Sequence, residues 1–236
     1  MSQTNSLSAT QDKSKSKQCL PLSSIVKKQS MAVTGLLLCG FLISHLVGNF
    51  LLFVGPDAFN KYSHLLVSNP LIYLAEVILG VLFLSHILMA FKLTYENKKA
   101  RPEAYYMRKN SGRGSTLASS TMPYTGVVAL IFLVNHIIGL KFGTHYDTVV
   151  GGIQMRDIYR TTFEYFQDPI HVALYIVAMV ALGLHVSHGF WSAFQSLGMN
   201  HPKYMPKIQC FSKIYGLIVT IGFSSLPLYC FILGAR

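Results

Sequence analysis

The sequence predicts an all-α membrane protein of five transmembrane helices. Three observations carry that prediction. Of the 236 residues, 51% are hydrophobic and only 12% are charged, a balance typical of integral membrane proteins. Five apolar runs reach the roughly 20 residues that a bilayer core requires. The basic residues gather in alternate connections instead of spreading along the chain.

Residues 1–22 are polar and rich in Ser and Lys, with no apolar centre. They are not a cleaved secretory signal and are expected to be a disordered cytoplasmic tail. Residues 23–236 then form one membrane domain. The first span covers about 31–54 and stops at Gly55-Pro56. The second covers about 71–93, with Asn69-Pro70 as N-cap and first-turn proline. Pro123 opens the third, about 123–143, in the same way. Asp168-Pro169 caps the fourth, about 170–195. The fifth, about 211–233, contains Pro227, which should bend it. The outer connection 143–168 contains DIYRTTFEYF, expected as a short interfacial helix whose Tyr159, Phe163 and Phe166 suit the headgroup region. No internal repeat stands out beyond the spacing of the spans. The connections are too short for a second soluble domain.

Charge sets the expected orientation. Fifteen of the 20 basic residues fall on one side: in the N-terminal tail, in the second connection (Lys92 to Arg113) and in the fourth (Lys203, Lys207, Lys213). The positive-inside rule places the N-terminus in the cytoplasm and the C-terminus outside. Topology accounts for the basic clusters more simply than nucleic-acid binding does. The four cysteines include no C-x-x-C pair, which argues against an iron–sulfur centre, a zinc site or a disulfide scaffold.

Each of the first four spans carries a histidine well inside its apolar run: His45, His86, His136 and His185. Ionisable side chains in hydrocarbon are costly, and imidazole is a common axial ligand of haem iron. At about 1.5 Å per residue, His45 and His136 lie roughly 20 Å from the cytoplasmic end, and His86 and His185 roughly 10–15 Å. These depths pair His86 with His185 at an inner haem and His45 with His136 at an outer one. Helices one and three, and two and four, must then face each other across a four-helix core. Without C-x-x-C-H, both haems b are held non-covalently. A small residue follows each histidine by one turn: Gly48, Ala90, Gly139 and Gly189. A flat macrocycle on that face would require it, although small residues also mark ordinary membrane-helix contacts. His188 competes with His185 as the fourth ligand. His171 lies too far outward, and His64, His145 and His201 read as loop residues. Glu76 could exchange protons at an outer quinone pocket or bond a neighbouring helix. Lys28 and Ser30 could line an inner quinone site, but read better as snorkelling and capping residues.

The segments MAVTGLLLCGFLISHLVGNFLLFVG, TMPYTGVVALIFLVNHIIGLKFG and ALGLHVSHGFWSAFQSLGMNHPKY resemble the five-helix cytochrome b subunit of bacterial succinate dehydrogenases and fumarate reductases. The similarity runs over roughly residues 23–233. It implies axial ligands at His45, His86, His136 and His185, with the first histidine of HVSHG as the fourth ligand. It also implies a flavoprotein and an iron–sulfur partner on the cytoplasmic face. Electrons would pass through two haems to membrane quinone, expected to be menaquinone, in the bacterial cytoplasmic membrane. The dicarboxylate site would lie on a partner, because this chain has no dinucleotide fingerprint and no cysteine cluster. Some relatives carry an acidic residue two positions before the fourth ligand. Here that position is Gly183, which puts that proton route in doubt. The alternatives are the dihaem anchor of a hydrogenase or formate dehydrogenase, and a proton-coupled transporter.

Overall fold

The computed structural model describes residues 23–100 and 117–234. The expected N-terminal tail and the basic residues between 101 and 116 lie outside the described residues. The chain runs α1 (Ser24–Asn49), α2 (Leu51–Val54), α3 (Pro56–Ser68), α4 (Leu71–Lys99), α5 (Leu117–His136), a π-helical turn (Ile137–Lys141), β1 (Asp147–Val150), β2 (Ile153–Arg156), α6 (Ile158–Tyr165), α7 (Pro169–Ser196) and α8 (Met205–Gly234). Five stretches are long and apolar enough to cross a bilayer: Ser24–Val54, Leu71–Lys99, Ser119–Lys141, Pro169–Ser196 and Met205–Gly234.

The helix ends follow local chemistry. Ser23 accepts from the Val26 N–H to start α1, and Asp168 accepts from the Ile170 N–H ahead of Pro169 in α7. Asn69 Oδ1 accepts from the Leu71 N–H at the start of α4. Pro123 differs from expectation: it lies inside α5, which is already helical from Leu117. The π-helical turn continues the helix past His136. Arg156 then covers the orphan carbonyls that end it, with Nη1 donating to the Lys141 carbonyl at 2.9 Å and Nη2 to the Leu140 carbonyl at 3.2 Å.

Within the membrane, α1 packs along α4 and α7, α5 along α7, and α8 along α7. α1 and α5 therefore stand diagonally across the core, as do α4 and α7. The α7–α8 crossing is close. A Cβ on Gly216 would lie 2.5 Å from the Gly183 carbonyl and 2.7 Å from Ser187 Cβ. Near the start of α1, the buried Lys27 pairs with Glu96 at 2.6 Å and fixes α1 to α4. About a third of the way along α8, the Tyr215 hydroxyl donates to the Cys39 carbonyl at 2.7 Å and ties α8 to α1.

The connections between the first and second spans and between the third and fourth are more structured than the sequence indicates. Gly55, at φ 130°, breaks the first span and lets α3 fold back from Pro56. His64 is therefore a helical residue, not a loop residue. Buried Asn60 clamps α3 to α6: its amide donates to Asp157 Oδ1, and its carbonyl oxygen accepts from the Tyr159 N–H, both at 2.9 Å. A β-hairpin interrupts the otherwise helical chain, with Val150 opposite Ile153 and both turn glycines at positive φ, as a two-residue primed turn requires. The interfacial helix forms at Ile158–Tyr165. Its aromatic residues turn inward instead of toward headgroups. Phe166 is buried against Tyr175 at a centroid distance of 4.8 Å, and Tyr159 and Phe163 flank the same cluster.

Candidate functional site

The structure brings the four span histidines together in two diagonal pairs. The rings of His45 on α1 and His136 on α5 have centroids 5.8 Å apart, with an interplanar angle of 88°. The rings of His86 on α4 and His185 on α7 are 6.5 Å apart, at 74°. Two metal–imidazole bonds of about 2 Å each, plus two ring radii, put the centroids of a bis-imidazole pair roughly 6 Å apart. Both pairs stand at that separation. Among the described residues, no cluster of three or more His, Cys, Asp or Glu side chains forms a metal site. The donor set is therefore two imidazoles per pair. That suits a macrocycle supplying its own four nitrogens and does not suit a bare ion.

Each imidazole also has a partner at Nδ1. His86 meets Thr34 Oγ1 at 3.2 Å, and His185 meets Thr125 Oγ1 at 3.2 Å. His136 meets the Tyr175 hydroxyl at 3.3 Å, and His45 meets the Asn49 amide at 3.4 Å. At His86, His185 and His136 the Nδ1 partner is a hydroxyl able to accept, which leaves Nε2 to ligate, the usual arrangement for metal-bound histidine; the Asn49 amide nitrogen can only donate and sets no such tautomer at His45. The surroundings are apolar and aromatic. Phe41 stacks on His45 at 5.2 Å, and Phe223 lies 5.8 Å from the same ring. Phe132 flanks His136 at 5.5 Å.

The remaining candidates separate clearly. His188 sits against Trp191 at 5.0 Å, one face away from His86, so His185 is the histidine that meets α4. His171 stacks on Tyr165 at 4.1 Å, and His64 bonds Ser68. Glu76 pairs with Lys141 at 2.6 Å, both half-exposed, and links α4 to the π-helical end of the third span. Lys28 is exposed at the start of α1. Gly48 and Gly139 are spaces for tyrosines: a Cβ on either would meet Tyr62 or Tyr165 at 2.5 Å. Glycines missed by sequence reasoning do face the inner pair. A Cβ on Gly35 would lie 3.2 Å from His86 Cε1, and one on Gly126 would lie 3.4 Å from His185 Cε1.

These contacts expose a repeat that the span spacing hides. Thr34-Gly35 is followed ten residues later by His45 and three after that by Gly48; Thr125-Gly126 is followed identically by His136 and Gly139. The first and third spans thus each carry a Thr-Gly step at the level of His86 and His185 and their own histidine about 16 Å further on.

The chain is similar to a succinate dehydrogenase cytochrome b558 subunit of Bacillus subtilis (strain 168). It is 27% identical to it over 191 residues, which span 80% of this chain and 85% of the relative. This chain resembles the cytochrome b anchor of succinate dehydrogenase. No protein-family model matches it, and no solved structure does. An acidic residue at position 183 has no room in this packing. A Cβ there would overlap Thr220 Oγ1 and lie 2.7 Å from the Gly216 carbonyl.

Cavities open among the described residues at the end that carries the hairpin. One of about 520 Å³ lies between α3 and the hairpin, lined by Lys61, His64 and Met155 among others, away from both pairs. Another, of about 240 Å³, adjoins the outer pair through Gly139 and Tyr165 and reaches Tyr146 and Glu164. Tyr146 donates to Glu164, and Arg160 Nε donates to it at 2.7 Å. These bonds hold the Glu164 carboxyl below the usual carboxylate range and push the Tyr146 phenol up.

Proposed function

We propose that this chain anchors a succinate:quinone oxidoreductase in the bacterial cytoplasmic membrane and carries its electrons. His86 and His185 hold an inner haem b, and His45 and His136 an outer one. The observation that supports this most is the pair of diagonal imidazole contacts at bis-imidazole separation. The succinate assignment rests on the relative's name and on the resemblance. When bound, haem b supplies one-electron transfer. The chain's own residues fix the two imidazole pairs about 16 Å apart along the membrane normal and exclude water with Phe41, Phe132 and Phe223.

The orientation follows the charge. Lys27 and Lys28 open α1, Lys98 and Lys99 close α4, and Lys203 and Lys207 flank the start of α8. This basic end faces the cytoplasm, with the C-terminus outside. It receives an iron–sulfur subunit, which is reduced by a flavoprotein that holds the dicarboxylate. Electrons enter at the inner pair and leave from the outer pair to menaquinone.

The test compares two activities in membranes from His45→Ala cells, after assembly of the complex is verified. Succinate should still reduce an artificial dye, because that acceptor draws on the soluble subunits. Quinone reduction should fall to background. Unchanged quinone reduction without the outer haem would refute the relay.

A further inference from the structure

The two threonines that meet the inner histidines have an uncommon constraint. A threonine hydroxyl has one proton and two lone pairs. Thr34 Oγ1 lies 2.9 Å from the Ser30 carbonyl and 3.1 Å from the Met31 carbonyl, both on its own helix. Thr125 Oγ1 lies 3.2 Å from the Thr121 carbonyl and 3.1 Å from the Met122 carbonyl. The proton therefore goes back to the helix, as is usual for threonine in this position. Toward the imidazole, each hydroxyl can only accept. Nδ1 of His86 and of His185 is thereby made a donor, which leaves the Nε2 lone pair free. The glycine after each threonine lets the ring approach, since its missing Cβ would stand 3.2 or 3.4 Å from Cε1.

The outer pair is built otherwise. His45 meets an amide nitrogen, itself donating to the His45 carbonyl at 2.7 Å. His136 meets a phenol, which can give or take a proton. Only the inner pair faces groups restricted to accepting.

We propose that Thr34 and Thr125 are positioning residues of the inner haem, which fix the ligating tautomer of His86 and His185 and hold down the reduction potential of that haem. The inference rests on the two-haem reading above. An acceptor at Nδ1–H increases the basicity of the ligating nitrogen and so favours the more highly charged iron. Second-shell hydrogen bonding is one of the means by which a protein sets a haem's potential. Removing the acceptor should raise the inner potential and leave the outer one unchanged.

The experiment is a potentiometric titration of the b-type absorption bands in the assembled complex. The variants are Thr34→Val, Thr125→Val, their double, and Thr34→Ser and Thr125→Ser. Valine keeps the shape and removes the acceptor, whereas serine keeps the acceptor. Each valine variant should move one of the two midpoints upward. The double should move the same midpoint further, and the serine variants should match the parent. The midpoint that moves should be the one that survives in His45→Ala. Loss of the inner haem in the valine variants, with retention in the serine variants, would also support the role. Unchanged midpoints in the double valine variant, movement of the outer one, or serine variants behaving like valine would overturn it. A parent protein with no b-type bands would instead overturn the underlying two-haem reading.

Discussion

Replacing Gly183 with alanine tests the packing on which the fourth histidine depends. The added Cβ would overlap Thr220 Oγ1 and lie 2.7 Å from the Gly216 carbonyl. Neither neighbour can yield cheaply. The carbonyl is helix backbone, and Thr220 is β-branched, with its hydroxyl bonded to the Gly216 carbonyl at 2.9 Å. α7 and α8 must therefore separate. Overpacking a tight site costs about 1–3 kcal/mol, and a backbone obstacle puts this one near 3 kcal/mol. At 2–4 °C for each kcal/mol in a chain of this size, the thermal midpoint should fall by roughly 6–12 °C. The fluorescence of Trp191, the single tryptophan and itself on α7, reports the transition in detergent. Adding Thr220→Ala removes one of the two obstacles and should recover about half the loss, a coupling on the order of 1–2 kcal/mol. A Gly183→Ala midpoint within about 2 °C of the parent, or strict additivity in the double variant, would refute this account. Gly183→Glu should fail to accumulate in membranes.

Gly35→Val should displace His86, whose Cε1 already stands 3.2 Å from the missing Cβ, and remove the inner haem's absorption while the outer remains; loss of the outer one alone would contradict the assignment of levels. Glu164 has a folded-state pKa below its ordinary 4.5. Its contribution to stability is therefore present above pH 4.5 and lost as pH falls through the lowered value; Glu164→Gln should flatten that acid limb of a thermal-midpoint profile, and an unchanged limb would show the cluster to be idle. Glu76→Gln and Lys141→Gln should have the same small effect on thermal stability, at most about 1 kcal/mol for so exposed a pair. A quinone-reduction defect in the first variant without one in the second would instead point to proton exchange at Glu76.

The five spans and the pairing of the four histidines into two levels could be read from the sequence because both follow from counting, although counting set the levels only roughly 5–10 Å apart against about 16 Å along α1. Apolar length gives the spans, and the rise per residue gives depth. The rotation of each helix about its axis could not be counted, so Tyr175 and Asn49 were not anticipated as partners of His136 and His45. Rotation also decides the small residues. Gly48 and Gly139 share a face with their own histidines yet accommodate Tyr62 and Tyr165, whereas Gly35 and Gly126 serve histidines on other helices. The Thr-Gly repeat was visible in principle, but four shared residues in a background of Leu, Ile and Val carry little signal until a contact singles them out. The hairpin had a sequence signal as well, since Val-Val-Gly-Gly-Ile is a strand, primed turn and strand. The inward turn of Phe166 had none, because the aromatic cluster it joins is assembled from α3, α5, α6, α7 and α8.

The central claim is that two histidine pairs hold two haems b. Its most direct measurement is haem content per chain in the purified protein, by the absorption of the extracted pyridine complex, together with electron paramagnetic resonance of the oxidised form. The account predicts two haems per chain, both low-spin with two imidazole ligands, falling to one in His45→Ala. One haem per chain in the parent, or an axial ligand other than imidazole at either haem, would contradict it.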